Sequence, residues 1–183
     1  MLHSNRACEN LKIGDKAIDF SLIGIDDKAH SLSDYPNKHL AVIFSCNHCP
    51  YVRAWEDRIL AIQAGYANKG VQLIAINAND ASRVPDDDFP SMKERAREKK
   101  FNFPYLRDED QKVAKSYGAQ RTPEVFLFDI HGVLRYHGTI DDNYDNPKAV
   151  IVHYLRNALD ALLQGKKVPV EETTPVGCTI KWK

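Results

Sequence analysis

The 183-residue sequence predicts a single α/β domain built on a mixed sheet flanked by helices, and three observations carry that prediction. Two continuously apolar runs, Leu40-Ala41-Val42-Ile43-Phe44 and Val71 to Ile76, have the character of strands buried on both faces of a parallel sheet. Between them Val52, Trp55, Ile59, Ile62 and Tyr66 recur at spacings of three and four, with Arg53, Glu56, Asp57 and Arg58 interposed, which is the pattern of an amphipathic helix. Strand, helix and strand in succession make a right-handed crossover unit. The run Glu124-Val125-Phe126-Leu127-Phe128-Asp129, a His131-Gly132 turn and Val133-Leu134-Arg135-Tyr136 then predict an antiparallel hairpin, so the sheet is mixed.

The remaining elements follow in chain order. Residues 1–13 read as a flexible N-terminus. Ile18 to Ile23 and Lys28 to Leu32, separated by Gly24-Ile25-Asp26-Asp27, predict an N-terminal β-hairpin. Asn77 to Pro90, with its Asp86-Asp87-Asp88 run, reads as a solvated polar loop, followed by a short helix over Met92 to Glu98. A short apolar piece at Pro104-Tyr105-Leu106 and a helix from Asp110 to Tyr117 lead to the hairpin. A last helix is expected from Pro147 to Leu163, capped by Asn146, presenting Val150, Ile151, Tyr154, Leu155, Ala158, Leu159 and Leu162 on one face and ended by Gly165. Residues 166–183 form a C-terminal tail in which Pro169 and Pro175 exclude a long helix.

Composition narrows the function classes. Apolar residues at 43% and charged residues at 27% match an ordinary soluble globular chain, one long enough to bury a core without staples. The 25 Lys and Arg balance the 25 Asp and Glu, so no broad field recommends nucleic acid or an anionic membrane as partner. The first ten residues lack the apolar core of a secretory signal, and no run reaches the roughly 18 apolar residues of a membrane helix, so a cytoplasmic location is expected. Cysteines at 8, 46, 49 and 178 are too scattered for a secreted disulfide framework. In a reducing compartment a close pair points to catalysis or to metal.

The close pair is Cys46-Asn47-His48-Cys49-Pro50, lying where the first buried strand ends and the amphipathic helix begins. Active sites in such sheets sit outside the carboxyl ends of the strands. Backbone N–H groups of a first helical turn, with the helix dipole, favour a thiolate over a thiol. Cys46 is then the exposed attacking nucleophile, and Cys49 resolves the mixed disulfide. Pro50 is tolerated because first-turn N–H groups have no intrahelical partner to lose. His48 is placed to lower the Cys46 pKa further, or stands as an exposed helix-start residue. A structural zinc site wants a second Cys or His pair at close spacing, and Cys8 and Cys178 are isolated. His30, His39, His131, His137 and His153 do not cluster and read as surface or hydrogen-bonded core residues, with His3 in the terminus. Phosphate-binding glycine loops are absent from the sequence.

Gly14-Asp15-Lys16-Ala17, Asp19-Phe20-Ser21-Leu22 and Ser31-Leu32-Ser33-Asp34-Tyr35, together with the cysteine pair, resemble the alkyl hydroperoxide reductase and thiol-specific antioxidant (redoxin) branch of the thioredoxin superfamily. Cys46 to Val52, Ile76-Asn77-Ala78-Asn79-Asp80, Arg121-Thr122-Pro123-Glu124-Val125-Phe126 and the Gly177-Cys178-Thr179-Ile180-Lys181-Trp182 ending are similar to bacterial thioredoxin-like proteins described as probable thiol-disulfide isomerases. The resemblance implies a thioredoxin-like fold with an N-terminal hairpin extension. It also implies thiol-disulfide exchange through a redox-active Cys46–Cys49 disulfide, with no other cofactor. Partners are protein or small-molecule thiols and disulfides, with an external reductant. It further implies a cis Thr122–Pro123 bond facing the cysteines, an edge at Thr122 on which substrate pairs as a strand, and substrate contacts from Arg121 and Asn47. Cys178 is the candidate auxiliary thiol, against the reading of a buried packing cysteine.

The resemblance departs from peroxiredoxins in one respect. The Thr and Pro that precede their nucleophile by three and seven positions are replaced, relative to Cys46, by Ile43 and His39, and relative to Cys49 by Cys46 and Val42. A thiol-dependent peroxidase is therefore the second reading. A non-catalytic metal or partner-binding module is the third, and the copper-chaperone version of it expects three residues between the cysteines rather than two.

Overall fold

A computed structural model describes residues 10–183. Cys8 and His3 lie outside the described residues. The expected flexible segment 1–13 is overtaken within its own span, because Leu11 is buried, its N–H donates to the Tyr117 carbonyl, and Ile13 packs against the same side of the core.

The chain opens with the hairpin β1 (Ser21–Gly24) and β2 (Ala29–Ser31) and continues into β3 (His39–Ser45). Helix α1 (Pro50–Tyr66) crosses to β4 (Val71–Asn77). Then come α2 (Phe89–Lys99), β5 (Tyr105–Arg107), α3 (Lys112–Tyr117), the two-residue β6 (Arg121–Thr122), and the hairpin β7 (Glu124–Phe128) and β8 (Leu134–Gly138). Helix α4 (Tyr154–Leu163) and the short β9 (Cys178–Thr179) close the chain. Seven strands form one mixed sheet in the order β2-β1-β5-β4-β3-β7-β8, while β6 and β9 pair apart from it. This is the thioredoxin-like architecture, with β1 and β2 as an added edge hairpin.

Alternation along β3 assigns its two faces, as the period of two in a strand requires. Ala41 and Ile43 join Trp55, Ile59 and Ile62 of α1, Met92 of α2, and Leu155 and Leu159 of α4 in one core layer. Leu40, Val42 and Phe44 face Tyr117 of α3, Phe126 and Phe128 in the other. Tyr117 stands edge-on to Phe44, Phe126 and Phe128, and its hydroxyl donates to the Ile18 carbonyl. Aromatic edges meeting faces add to simple area burial. Among the described residues no helix is long and apolar enough to cross a membrane.

Two expectations are corrected here. The helix foreseen from Pro147 to Leu163 begins only at Tyr154, and Asn146 caps a single 3-10 turn over Pro147–Ala149. The β-branched run Val150-Ile151-Val152 disfavours helix, and the Asp142 carboxylate takes the Ile151 N–H while the Asp142 N–H donates to the Val152 carbonyl. Ile151 is left 85% exposed. The supposed solvated loop 77–90 is instead drawn inward, with Ala78, Asn79, Asp80 and Asp87 buried. The tail 166–183 is also tied down. Its Glu171 carbonyl accepts the His137 N–H, its Thr173 N–H donates to the His137 carbonyl, and Ile180 is buried in the second core layer.

These placements set a contrast in stability. Phe126→Ala is expected to cost about 3–5 kcal/mol in urea unfolding, as for a fully buried aromatic. Ile151→Ala should change stability by less than about 0.5 kcal/mol, as at an unremarkable surface position. A large loss at Ile151 would show that the helix foreseen from the sequence is the one that forms.

Candidate active site

The site lies at the carboxyl ends of β3 and β4. Ser45 ends β3, Cys46-Asn47-His48 turn the chain, and Cys49 is the N-cap of α1 with Pro50 at its first position. The cap position thus belongs to Cys49 and not to Cys46, which corrects the expectation that the helix start acts on the first cysteine. Cys46 is also not exposed, at 3%, and Cys49 is at 0%.

Thr122 brackets both sulfurs. Its hydroxyl is 3.3 Å from Cys46 Sγ, and its carbonyl oxygen accepts from Cys49 Sγ at 3.2 Å. The Thr122–Pro123 bond is cis. The edge of β6, expected to be open for a substrate strand, is taken: β9 pairs antiparallel with it, Arg121 opposite Thr179 and Thr122 opposite Cys178. Arg121 is exposed, and its guanidinium donates to the Gly177 carbonyl rather than facing the sulfurs.

Asn47 has been turned to a different task from the one foreseen, while a ring nitrogen of His48 stays within 4.8 Å of the Cys46 sulfur. Asn47 is buried, its side-chain N–H donates to the Asp86 carbonyl, its Oδ1 accepts from the Tyr105 hydroxyl, and its own carbonyl accepts from Arg53 Nε. A side chain so engaged shapes the loop and offers nothing to substrate. His48 Nδ1 pairs with Asp87 Oδ2 at 2.6 Å, so the imidazole is oriented by a carboxylate. Asp87 Oδ1 further accepts the Asn47 backbone N–H at 2.6 Å and Asn77 Nδ2 at 3.2 Å, and Oδ2 accepts Asn79 Nδ2 at 2.8 Å. The Asp87 side chain is fully buried. Hydrogen bonds from several donors are what a buried carboxylate requires.

Asp87 and its two asparagines were missed in the sequence. The available signal was the alternation Asn77-Ala78-Asn79 directly after a buried strand, which puts both amides on one face.

The electrostatics divide the pair. Burial pushes the Cys46 thiol up, and hydrogen bonding with Cys49 and the charge of Asp87 push it further, against the Thr122 hydroxyl. Cys49 is drawn down to about 4 by the Cys46 S–H, against its own burial, with help from the Cys178 S–H and the backbone N–H groups of Val52 and Cys178. The reduced pair therefore titrates as a unit, holding one charge and one proton between its two sulfurs. Burial and the Asp87 charge thus act against the expectation that Cys46 is the more acidic thiol. Cys178 packs against Cys46, Cys49 and Val52, so the third cysteine is brought to the site.

Among the described residues, Cys46, His48 and Asp87 form a group of metal-ligating types whose donor atoms lie within 4.8 Å of one another. Metal binding there would have to compete with the His48–Asp87 pair and with the three amide donors on the carboxylate.

A family model described as the AhpC/TSA family matches residues 13–137. A solved structure of an uncharacterized conserved protein from Geobacillus kaustophilus is 38% identical, covers 94% of this chain and 93% of that one, and superposes with a TM-score of 0.89. A hypothetical protein from Sinorhizobium meliloti 1021 is 36% identical, with 96% and 97% covered and a TM-score of 0.90. The thiol-disulfide oxidoreductase ResA of Geobacillus thermodenitrificans is 26% identical over 126 residues, which is 67% of this chain and 67% of that protein.

Two measurements check the charge assignment. The reduced chain should keep ultraviolet thiolate absorbance worth one sulfur down to about pH 4. Cys49→Ser should lose it at neutral pH, because Cys46 is then held protonated. Asp87→Asn in that background should shift Cys46 ionisation, read by iodoacetamide alkylation, to lower pH, since a like charge has been removed. Asp87→Ala should also destabilise the fold by about 1–3 kcal/mol or more through the donors it strands. A Cys46 titration insensitive to Asp87 would contradict the assignment.

Proposed function

The chain belongs to the AhpC/TSA family, and on that premise we propose that it is a thiol-disulfide oxidoreductase that passes electrons through Cys46 and Cys49. The observation that carries this reading is the placement of both sulfurs on Thr122, at 3.3 Å from its hydroxyl and 3.2 Å from its carbonyl oxygen. The name carried by the ResA relative supports the same chemistry.

Cys46, which precedes the helix while Cys49 caps it, makes the attack, and Cys49 serves first as its base. As a disulfide approaches, Cys49 takes the Cys46 proton. The Cys46 thiolate then forms a bond to one substrate sulfur while the other departs with the electron pair and is protonated from Cys49. The Cys49 thiolate so regenerated attacks Cys46 in the mixed disulfide. That releases the second substrate sulfur as a thiolate, which solvent protonates, and leaves the Cys46–Cys49 disulfide. Two electrons have moved to substrate, and an external thiol returns the pair to the reduced state. The thiol clients are protein or small-molecule disulfides, in a reducing cytoplasm where such pairs turn over rather than persist.

Thiol-dependent peroxide reduction is the second reading, favoured by the family and by the Thr122 hydroxyl beside Cys46. Fast peroxide chemistry needs donors on the departing oxygen, and one hydroxyl already engaged with Cys46 is a weak supply.

Insulin disulfide reduction and hydrogen peroxide consumption should be compared in wild type, Cys46→Ser and Cys49→Ser. Both variants should lose insulin turnover. Cys49→Ser should accumulate a mixed disulfide at Cys46, faster as pH rises because its thiol has lost its base. Peroxide consumption far faster than insulin reduction, retained in Cys49→Ser with an external thiol, would overturn the proposal in favour of the peroxidase.

A further inference from the structure

The strand β9 is anchored on both sides of Cys178. On one side Gly177 passes so close to β6 that a Cβ built on it would lie 2.2 Å from the Thr122 carbonyl oxygen. On the other, the Ile180 N–H donates to the Gln120 carbonyl and the Ile180 side chain is buried at 3%. The Lys181 carbonyl accepts from the Asp80 N–H and Gln111 Nε2, and its N–H donates to Asn79 Oδ1. Cys178 is thus held in register opposite Thr122, the residue that brackets both sulfurs, and it packs against them. The chain's own tail occupies the position in which an incoming strand would present its cysteine to the pair.

We propose that Cys178 is a third redox thiol of this site, which exchanges with the Cys46–Cys49 disulfide to form a Cys49–Cys178 disulfide and returns Cys46 to the thiol. The inference rests on the redox reading of Cys46 and Cys49. In the step, Cys178 loses its proton, and its sulfur forms a bond to Cys49 Sγ. The Cys46–Cys49 bond breaks, its electron pair leaves on Cys46, and Cys46 takes up the proton. The exchange needs no outside oxidant or reductant, because one disulfide replaces another.

Cys49 is the sulfur positioned to be shared. The Thr122 carbonyl oxygen that accepts from its Sγ is the atom against which Gly177, the neighbour of Cys178, is packed. In the reduced chain burial, with Cys49 beside it, pushes the Cys178 thiol up to about 11. Oxidation of the pair removes the Cys49 charge, while Arg121 and Lys181 remain to favour a Cys178 thiolate. The third thiol is therefore quiet when the pair is reduced and better able to attack once the pair is oxidised. The product restores the Cys46 thiol in an oxidised chain and ties β9 to the head of α1.

The test is to oxidise the full chain with dithiodipyridine, alkylate it with iodoacetamide and map the peptides without reduction. In wild type, Cys46 should be alkylated in a population that carries a Cys49–Cys178 bridge. In Cys178→Ser, Cys46 alkylation should be lost because the Cys46–Cys49 bridge has no further partner. Cys46→Ser should form the Cys49–Cys178 bridge directly, which keeps the test independent of any one variant's folding. Equal protection of Cys46 in wild type and Cys178→Ser, together with free Cys49 and Cys178 in Cys46→Ser, would overturn the third-thiol proposal while leaving the Cys46–Cys49 reading intact. Absence of any bridge at Cys46 or Cys49 in wild type would overturn both.

Discussion

The buried carboxylate of Asp87 is the constraint on which the site depends. A carboxylate removed from water must be met by donors or it destabilises the fold, and here the donors come from separated stretches of chain. The Asn47 N–H and His48 come from the cysteine turn, and the Asn77 and Asn79 amides from the end of β4. Satisfying one charge therefore holds the cysteine turn and the loop after β4 against each other. The same charge sets the electrostatics of the turn, because it stands near Cys46 and opposes a second ionisation there.

From that anchor the division between the cysteines follows. The turn held by Asp87 leaves Cys46 before the helix and puts Cys49 at its cap, nearer the positive end of the helix. Both cysteines are buried, and the pair shares one proton between its sulfurs. A pair arranged in this way moves a proton internally before it forms a bond. That is the reason a thiol held well up can still act as the attacking group in the proposed cycle.

The closing strand adds a second constraint. In a thioredoxin-like fold the segment before the β7 strand presents a backbone edge beside the sulfurs, and this chain covers that edge with β9. The covering is not a loose tail, since Lys181 is bonded to Asn79, Asp80 and Gln111, so it is tied to the same loop that carries Asp87. Loop and tail thus support the site from two sides. A partner that pairs on β6 must first displace β9, which sets a higher demand on large clients than on small disulfides.

Periodicity and spacing in the sequence alone determined the elements that depend on local pattern. Apolar runs marked β3 and β4, the three-and-four spacing marked α1, and Cys46 to Pro50 marked the site, because burial on one face or two leaves a repeat along the chain itself. The β-branched run at Val150 to Val152 was legible too, but the apolar face it continued argued for helix, and only the contacts of Asp142 decided otherwise. What the tertiary structure decided were matters that no local pattern encodes. Asp87 looks like any residue of an acidic loop until the Asn77 and Asn79 amides, eight to ten positions away, are seen to enclose it. Cys178 is a solitary cysteine until strand pairing carries it to residues more than a hundred positions earlier in the chain. Which cysteine stands at the helix cap likewise depended on the exact residue at which α1 begins, and a boundary set by packing of the turn is a property of the folded chain rather than of composition or period.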